Sequence, residues 1–381
     1  MMMLLLMLCA CGGGDDATET PTQPVTPTTP TGKDIQLAIG VTSPALSAMT
    51  RAGNIAASET ENKVNSLQIW VFEHGSGALV SYLNPTDYPT ATDGSKVYQM
   101  NVSESFANSP VKPAIDIYVL ANMATTGLSL GSNSNQQQLN EAVIASTGFA
   151  PATSVPANGL PMSGVLYNKA VVGDGTKPVL HVTNYNNMEM VPLTRAVSKM
   201  RFVFTKSAPD KALTINSITI DENVIPQAEH VFLANDSKPY HVGNSYIATA
   251  TPLITSDLAV STTCSDPTKY VYQSQDAQDY EELIDKGVDG EGEPLVKELT
   301  QSGPYYFLET DKKVSGKITY QIEGDSEPKE THFAMQTSGD FSRNHSWIVY
   351  AYYEGLSGMQ VISVYVKPWT TTTAIHETYN W

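Results

Sequence analysis

Chemistry that needs several side chains in one place leaves a trace in their spacing, and little such trace is present. The seven histidines are His74, His181, His230, His241, His332, His345 and His376. No two of them stand at helical i,i+4 or tight loop spacing, so neither a zinc signature nor a triad emerges. His345, in Arg343-Asn344-His345-Ser346-Trp347, sits just before an apolar run and reads as a solvated turn residue. Cys264 lies among Ser and Thr with no His nearby in sequence, the setting of an inert, half-buried thiol. The stretch Asp285-Lys286-Gly287-Val288-Asp289-Gly290-Glu291-Gly292-Glu293 offers carboxylates of the type calcium takes. Its spacing does not follow the EF-hand loop, and it reads as an acidic solvent loop. The 19 tyrosines could form a sugar-stacking surface or simply populate strands. Nucleophile-elbow, P-loop and dinucleotide motifs are absent. The expectation is a protein that is not an enzyme and holds no metal or cofactor.

Chemistry done to the chain is easier to place. Met1 to Leu8 is wholly apolar and is followed by Cys9-Ala10-Cys11 and a Gly/Asp run. About 10 apolar residues are too few to span a bilayer, which needs about 20, so an export signal fits better than a membrane helix. Leu8-Cys9-Ala10-Cys11 resembles the lipobox at which a bacterial signal peptidase cuts, with Cys11 the acylated residue and an ordinary cleaved signal peptide as the alternative. No Lys or Arg precedes the apolar run, which departs from the usual basic start and suggests a start codon farther upstream. Once the signal is removed only Cys11 and Cys264 remain, so no disulfide framework can form and packed cores must supply stability.

Composition bounds the class. Against 22 basic residues stand 39 acidic ones, a net charge of −17 that disfavours nucleic acid and anionic lipid surfaces as partners. Only 16% of residues are charged, while Thr, Ser, Asn, Gly and Pro abound, which suits strands better than long surface helices.

The elements follow from periodicity. Ala17 to Gly32 is a Pro/Thr tract that buries nothing and serves as an extended tether. Asp34 to Val41 alternates apolar and polar residues as a half-buried strand does. Further strands are expected at 66–72, 115–120, 179–182, 199–205, 213–220, 317–322, 347–353 and 361–366. Asn135 to Ala145 is the best helix candidate of the first half, with Leu139, Ala142 and Val143 on one face. No fixed-period repeat is visible, and roughly 350 residues exceed one sandwich, so the chain is divided near residue 195. The expected fold class is all-β: two β-sandwich domains with short helices in loops.

Several segments together resemble the FimA-like fimbrillins, the major subunits of type V pili. They are the lipobox, Leu67-Gln68-Ile69-Trp70-Val71-Phe72, Leu120-Ala121-Asn122, Leu160-Pro161-Met162-Ser163-Gly164, Leu193-Thr194-Arg195-Ala196-Val197-Ser198-Lys199, and the terminal Lys367-Pro368-Trp369 with Asn380-Trp381. The resemblance implies transthyretin-like sandwiches, a lipidated precursor at the outer membrane and cell surface, and maturation by a surface Arg-specific protease. Arg51-Ala52, in a small-residue stretch ahead of Gly53-Asn54, is the position such a protease would reach, the bland alternative being an ordinary loop arginine. Arg195 matches the family's inter-domain motif and reads as structural.

Removal of the strand ending at Arg51 would leave unpaired backbone beside an apolar groove, an edge that invites a replacement. The resemblance implies that a neighbouring subunit supplies it head to tail from its last residues, with Thr370, Ala374, Ile375, Tyr379 and Trp381 suited to an extended donor. Such a contact does not close and yields a filament. The expected organisation is signal and lipobox 1–11, tether 12–33, propeptide strand 34–51, domains 52–194 and 195–366, and donor tail 367–381. The implied function is a fimbrial structural subunit supporting adhesion. A monomeric or anchor surface lipoprotein with a glycan-binding or adhesin role, and an uncharacterised hydrolase, remain as alternatives, and the tail could be merely the chain's own last strand.

Overall fold

A computed structural model of the chain describes residues 35–44, 59–90, 94–145, 155–173, 179–184, 187–207, 211–232, 245–254, 256–267, 269–270, 288–293, 295–296, 300–334, 342–355 and 358–368. Up to residue 195 its strands are β1 (Gln36–Thr42), β2 (Leu67–Glu73), β3 (Leu79–Leu83), β4 (Ser95–Asn101), β5 (Ile115–Ala121), β6 (Val143–Ala145), β7 (Met162–Lys169), β8 (Val171–Gly173), β9 (Val179–Asn184), β10 (Asn187–Met188), β11 (Met190–Pro192) and β12 (Thr194–Arg195). One sheet carries β4, β1, β9 and β11, with β8 and β10 on β9; the other runs β12-β7-β5-β2-β3. Leu37, Ile39, Val41, Leu180 and Val191 from the first sheet share a buried core with Ile69, Val71, Ile117 and Val119 from the second. The two sheets therefore form a sandwich, because each strand sends alternate side chains to one face.

The second half repeats this plan with β13 (Ser198–Lys206), β14 (Leu213–Ile220), β15 (Ala228–His230), β16 (Thr251–Ile254), β17 (Leu258–Ala259), β18 (Thr300–Phe307), β19 (Ser315–Ile322), β20 (Lys329–Ala334), β21 (His345–Glu354) and β22 (Gly358–Pro368). Sheet β18-β13-β21-β22 faces sheet β16-β14-β19-β20, with β17 also on β14. Their core gathers Phe202, Phe204, Trp347 and Val349 against Ile215, Ile218, Ile318 and Phe333. The fold is all-β, as the composition and periodicity predict.

The helix expected over 135–145 is only half present. Gln136–Asn140 is helical, started by a capping box in which the Asn135 side chain accepts from the Gln138 backbone and the Gln138 side chain accepts in return. The next residues turn extended, and β6 pairs antiparallel with β15, Val143 opposite His230 and Ala145 opposite Ala228. Two β-branched residues, Val143 and Ile144, favour extension, and a partner strand from the second half overrides the helical spacing. His345 also differs from expectation: it opens β21, half-buried, with its ring Nδ1 2.9 Å from the Arg343 carbonyl.

Candidate functional site at the first strand and the sandwich junction

β1 is an interior strand. On one side it pairs antiparallel with β4 along its whole length, from Gln36 opposite Asn101 to Thr42 opposite Ser95. On the other it pairs parallel with β9 at residues 36–38 and with β11 at residues 40–42. Ile35, Leu37, Ile39 and Val41 all enter the core, each at most 3% exposed. Burial of such side chains contributes about 1.5–3 kcal/mol apiece, so this strand holds a large share of the first sandwich's stability. The opposite face is also closed. A Cβ at Gly40 would lie 2.1 Å from Met190 Sδ and 2.6 Å from its Cε, so a larger residue there requires the flexible Met190 tip to move aside.

Nineteen residues on from Gly40, the helical turn Glu59–Asn62 begins, and its Glu61 and Asn62 meet Arg195 and Lys199 at the boundary between the sandwiches. Glu61 is buried there. Its carboxylate oxygens stand 3.0 and 3.1 Å from Lys199 Nζ, and the Tyr306 hydroxyl donates to Oε1 at 2.7 Å. Arg195, fully buried, donates through Nε to the Glu61 carbonyl at 3.2 Å, through Nη1 to Asn344 Oδ1 at 2.8 Å, and through Nη2 to Asn62 Oδ1. Arg195 ends β12 and Lys199 stands near the start of β13, and the bend at Ala196-Val197 between them brings both to Glu61. The L-x-R-x-V-x-K pattern is thus the cationic half of a buried ion cluster. Here two cations act on one carboxylate. Burial, together with the charges of Arg201 and Arg195, pushes Lys199 down to about 7 despite Glu61. Burial works to raise the Glu61 carboxyl, but Lys199, Tyr306 and Arg195 outweigh it and hold it below its ordinary value.

A second cluster has the opposite balance. Arg343 Nη2 lies 3.3 Å from Glu229 Oε1, and its Nε 3.4 Å from Glu309 Oε2. The guanidinium also donates to the carbonyls of Val231 at 3.0 Å and His230 at 2.7 Å, while the Glu309 amide donates to Glu229 Oε2 at 2.8 Å. With two buried carboxylates on one arginine, burial and the Glu309 charge push Glu229 up to about 8 against the pull of Arg343. Glu229 lies on β15, which carries the ladder to β6, and Ser163 Oγ on β7 donates to the Val231 carbonyl at 2.8 Å. Between the clusters an apolar layer brings Trp70, Tyr118, Leu139 and Ile144 against Val197, Phe232, Tyr306 and Leu308.

Asn122 ties the turn after Asn62 to the first sandwich. Its backbone is left-handed, φ 61°, which asparagine tolerates better than most residues. Its Oδ1 accepts from the amides of Asn65 at 2.8 Å and Ser66 at 3.3 Å, and its Nδ2 donates to the carbonyls of Lys63 at 2.8 Å and Leu160 at 2.9 Å. Asn122→Ala, which leaves these buried groups without a partner, is expected to lower stability by about 2–3 kcal/mol in denaturant titration. Gly164, in the Leu160–Gly164 segment, is required because a Cβ there would lie 2.5 Å from the Pro192 carbonyl oxygen.

Of the residues singled out from sequence, Cys11, Arg51, Ala52, Thr370, Ala374, Ile375, Tyr379 and Trp381 lie outside the described residues. Cys264 is buried and its thiol is pushed up by burial, the reverse of an activated nucleophile. In the acidic loop, Asp289 Oδ1 accepts from the amides of Glu291 and Glu293, both at 2.9 Å, so this carboxylate organises its own turn. Among the described residues no three His, Cys, Asp or Glu side chains are grouped to hold a metal, and no helix is long and apolar enough to cross a membrane. The residues that sequence reasoning missed are Glu61, Glu229, Glu309 and Arg343, whose partners are remote in the chain.

Two sandwiches joined by a buried, charge-bearing junction define a two-module, all-β protein. The chain belongs to the family of the major fimbrial subunit protein (FimA), whose profile matches residues 34–225. It is similar in structure to a Parabacteroides distasonis protein assigned to cell adhesion, at 14% identity and TM-score 0.54, over 89% of this chain and 98% of that one. It is also similar to the tip fimbrial protein of Porphyromonas gingivalis, at 13% identity and TM-score 0.48, over 91% of this chain and 99% of that one. No curated protein matches in sequence. The family's role is structural and not enzymatic, which places the chain in a cell-surface fimbria among other fimbrial subunits.

Proposed function

We propose that the chain is an exported, lipidated precursor, acylated at Cys11, that becomes a fimbrial stalk subunit when an Arg-specific surface protease cuts between Arg51 and Ala52. The mature part comprises domains 52–194 and 195–366, and the tail 367–381 carries the donor residues Thr370, Ala374, Ile375, Tyr379 and Trp381. The observation that carries this reading is the place of β1. It is an interior strand with four core side chains, and it stands on the precursor side of Arg51. Loss of it exposes a backbone edge on both β4 and β9/β11 beside an apolar slot, which a strand from another copy can refill by backbone pairing. Glu61 stands ten residues beyond Arg51 and anchors the new N-terminal segment to the junction through Lys199 and Tyr306.

The test is N-terminal sequencing and negative-stain microscopy of protein sheared from cells, with an Arg51→Ala strain beside it. A chain beginning at Ala52 in filaments, absent from the mutant, is the expected result. A lipidated Cys11 terminus on protein that does not polymerise would overturn it in favour of an anchor or monomeric surface lipoprotein.

A further inference from the structure

β1 ends where a cavity begins. Val41 faces Lys96 and Thr42 faces Ser95 across the ladder, and the Ser43 amide donates to the Gly94 carbonyl at 2.8 Å. At this end of the sandwich lies an open pocket of about 460 Å³, lined by Val64, Tyr88 and Pro89 with Lys63, Lys96 and Asp87 around them. Its size falls within the roughly 300–1,000 Å³ of ordinary ligand pockets. Val64 belongs to the same core as Val41, so the pocket continues the slot that β1 occupies. The chain's own strand is an imperfect occupant at this point, since Ser43 Oγ is buried with no hydrogen-bond partner.

The tail can be set against this slot by two constraints. Any Cβ in Gly40's outward slot must displace the flexible tip of Met190, and in residues 369–381 the side chain that asks for the least displacement is Ala374. Alternation then sends Trp369, Thr371, Thr373 and Ile375 to the inward slots of Ile35, Leu37, Ile39 and Val41. Threonine at two of these slots buries less apolar area than Leu37 and Ile39, so the slot alone would hold the tail less firmly than β1. The deficit is made up beyond the end of β1, where the same register delivers Glu377 to the rim with Lys63 and Lys96, and Tyr379 and Trp381 to the pocket.

We propose that this pocket receives Tyr379 and Trp381 of a second copy, its donor strand running in the direction of β1 with Ala374 in the place of Gly40. The inference rests on the strand-exchange reading above and adds to it the direction, the register and an anchor site. Aromatic side chains in a preformed pocket are the usual source of most of an interface's affinity, and Lys63 at the rim selects for the glutamate, Lys96 being paired with Asp87 at 2.5 Å.

The test is assembly of the full chain after cleavage by an Arg-specific protease, read as the critical concentration for filament formation. Trp381→Ala and Tyr88→Ala are each expected to raise it on the order of tenfold. The double variant is expected to raise it by clearly less than the product of the two, because both remove one contact. Glu377→Lys should weaken assembly and Lys63→Glu in the same chain should restore part of it. Thermal melting of the uncut variants checks that Tyr88→Ala leaves the sandwich folded. Normal filaments from wild type with fully multiplicative effects of Trp381→Ala and Tyr88→Ala would overturn the pocket assignment and leave strand exchange standing. Failure of the cut wild-type chain to assemble would overturn both.

Discussion

Glu61→Gln is expected to destabilise the chain by about 3–5 kcal/mol, the range for breaking a buried ion pair from one side. The loss should be largest at low pH. Lys199 binds the Glu61 carboxylate, and Arg195, bonded to the Glu61 backbone carbonyl, feels its charge, so neutralisation of Glu61 leaves two buried cations facing each other. Arginine keeps its charge, and relief comes through Lys199, already pushed down to about 7 by burial and by neighbouring cations. A lysine whose folded-state value is depressed contributes stability above its unfolded value, near 10.5, that is lost as pH falls through the folded value. Without Glu61 that folded value drops further, and the deficit relative to wild type should shrink as pH rises from about 6 toward 9. Urea titration of both proteins across that range measures it. Lys199→Met in the same chain should recover part of the loss, because a neutral pair of similar volume replaces an unmatched cation. A deficit that is independent of pH would refute the charge argument.

This cluster also shows which parts of the molecule could be read in one dimension. The strand expected over Asp34 to Val41 is found as β1, Gln36–Thr42, because one period-two pattern carries its conformation and its core-facing residues, but the half-buried strand expected is closed on its other face as well, and β4, β9 and β11 flank it. The strands at 115–121, 198–206, 213–220 and 345–354 were legible for the same reason, with ends that moved by a residue or two. Arg195 and Lys199 stood out as a pattern, yet their carboxylate lies 134 and 138 residues away, a distance at which no spacing rule operates. Asn122 was visible as the end of a strand. Its four hydrogen bonds were not, because three of them reach the turn at residues 63–66 and one reaches Leu160. The helix expected through Ala145 failed at Val143 for a related reason, since helical spacing is local and the partner strand β15 comes from the second sandwich. Local periodicity specified the sheets, and the junction was written in pairs that only folding brings together.

Arg343→Met is the mirror experiment. It removes the cation that lies against both Glu229 and Glu309, with its hydrogen bonds to the His230 and Val231 carbonyls, and is expected to cost about 3–5 kcal/mol at neutral pH, where Glu229 is already largely protonated. The pH trend should run opposite to that of Glu61→Gln. Glu229 is already pushed up to about 8, and a raised carboxyl contributes stability that is full below its unfolded value, near 4.5, and is lost as pH rises through the folded value. Removal of Arg343 raises it further, so the deficit of Arg343→Met should grow as pH rises through about 8. Glu229→Gln isolates the same group from the other direction. Glutamine cannot ionise, so this variant should gain on wild type as pH rises from about 4.5 to about 8, whatever fixed cost it carries from the altered bond to the Glu309 amide. The opposite slopes follow from a single feature of the junction: one cluster holds two cations on Glu61, the other two carboxylates on Arg343, and Asn344, next to Arg343, accepts from Arg195 at 2.8 Å and links them. An offset between the two excesses through this link would couple their removal. Melting curves of Glu61→Gln, Arg343→Met and their combination, taken at pH 6 and pH 9, test this: coupling between the clusters requires the combined loss to differ from the sum of the single losses, whereas simple additivity would mean that the two clusters act independently.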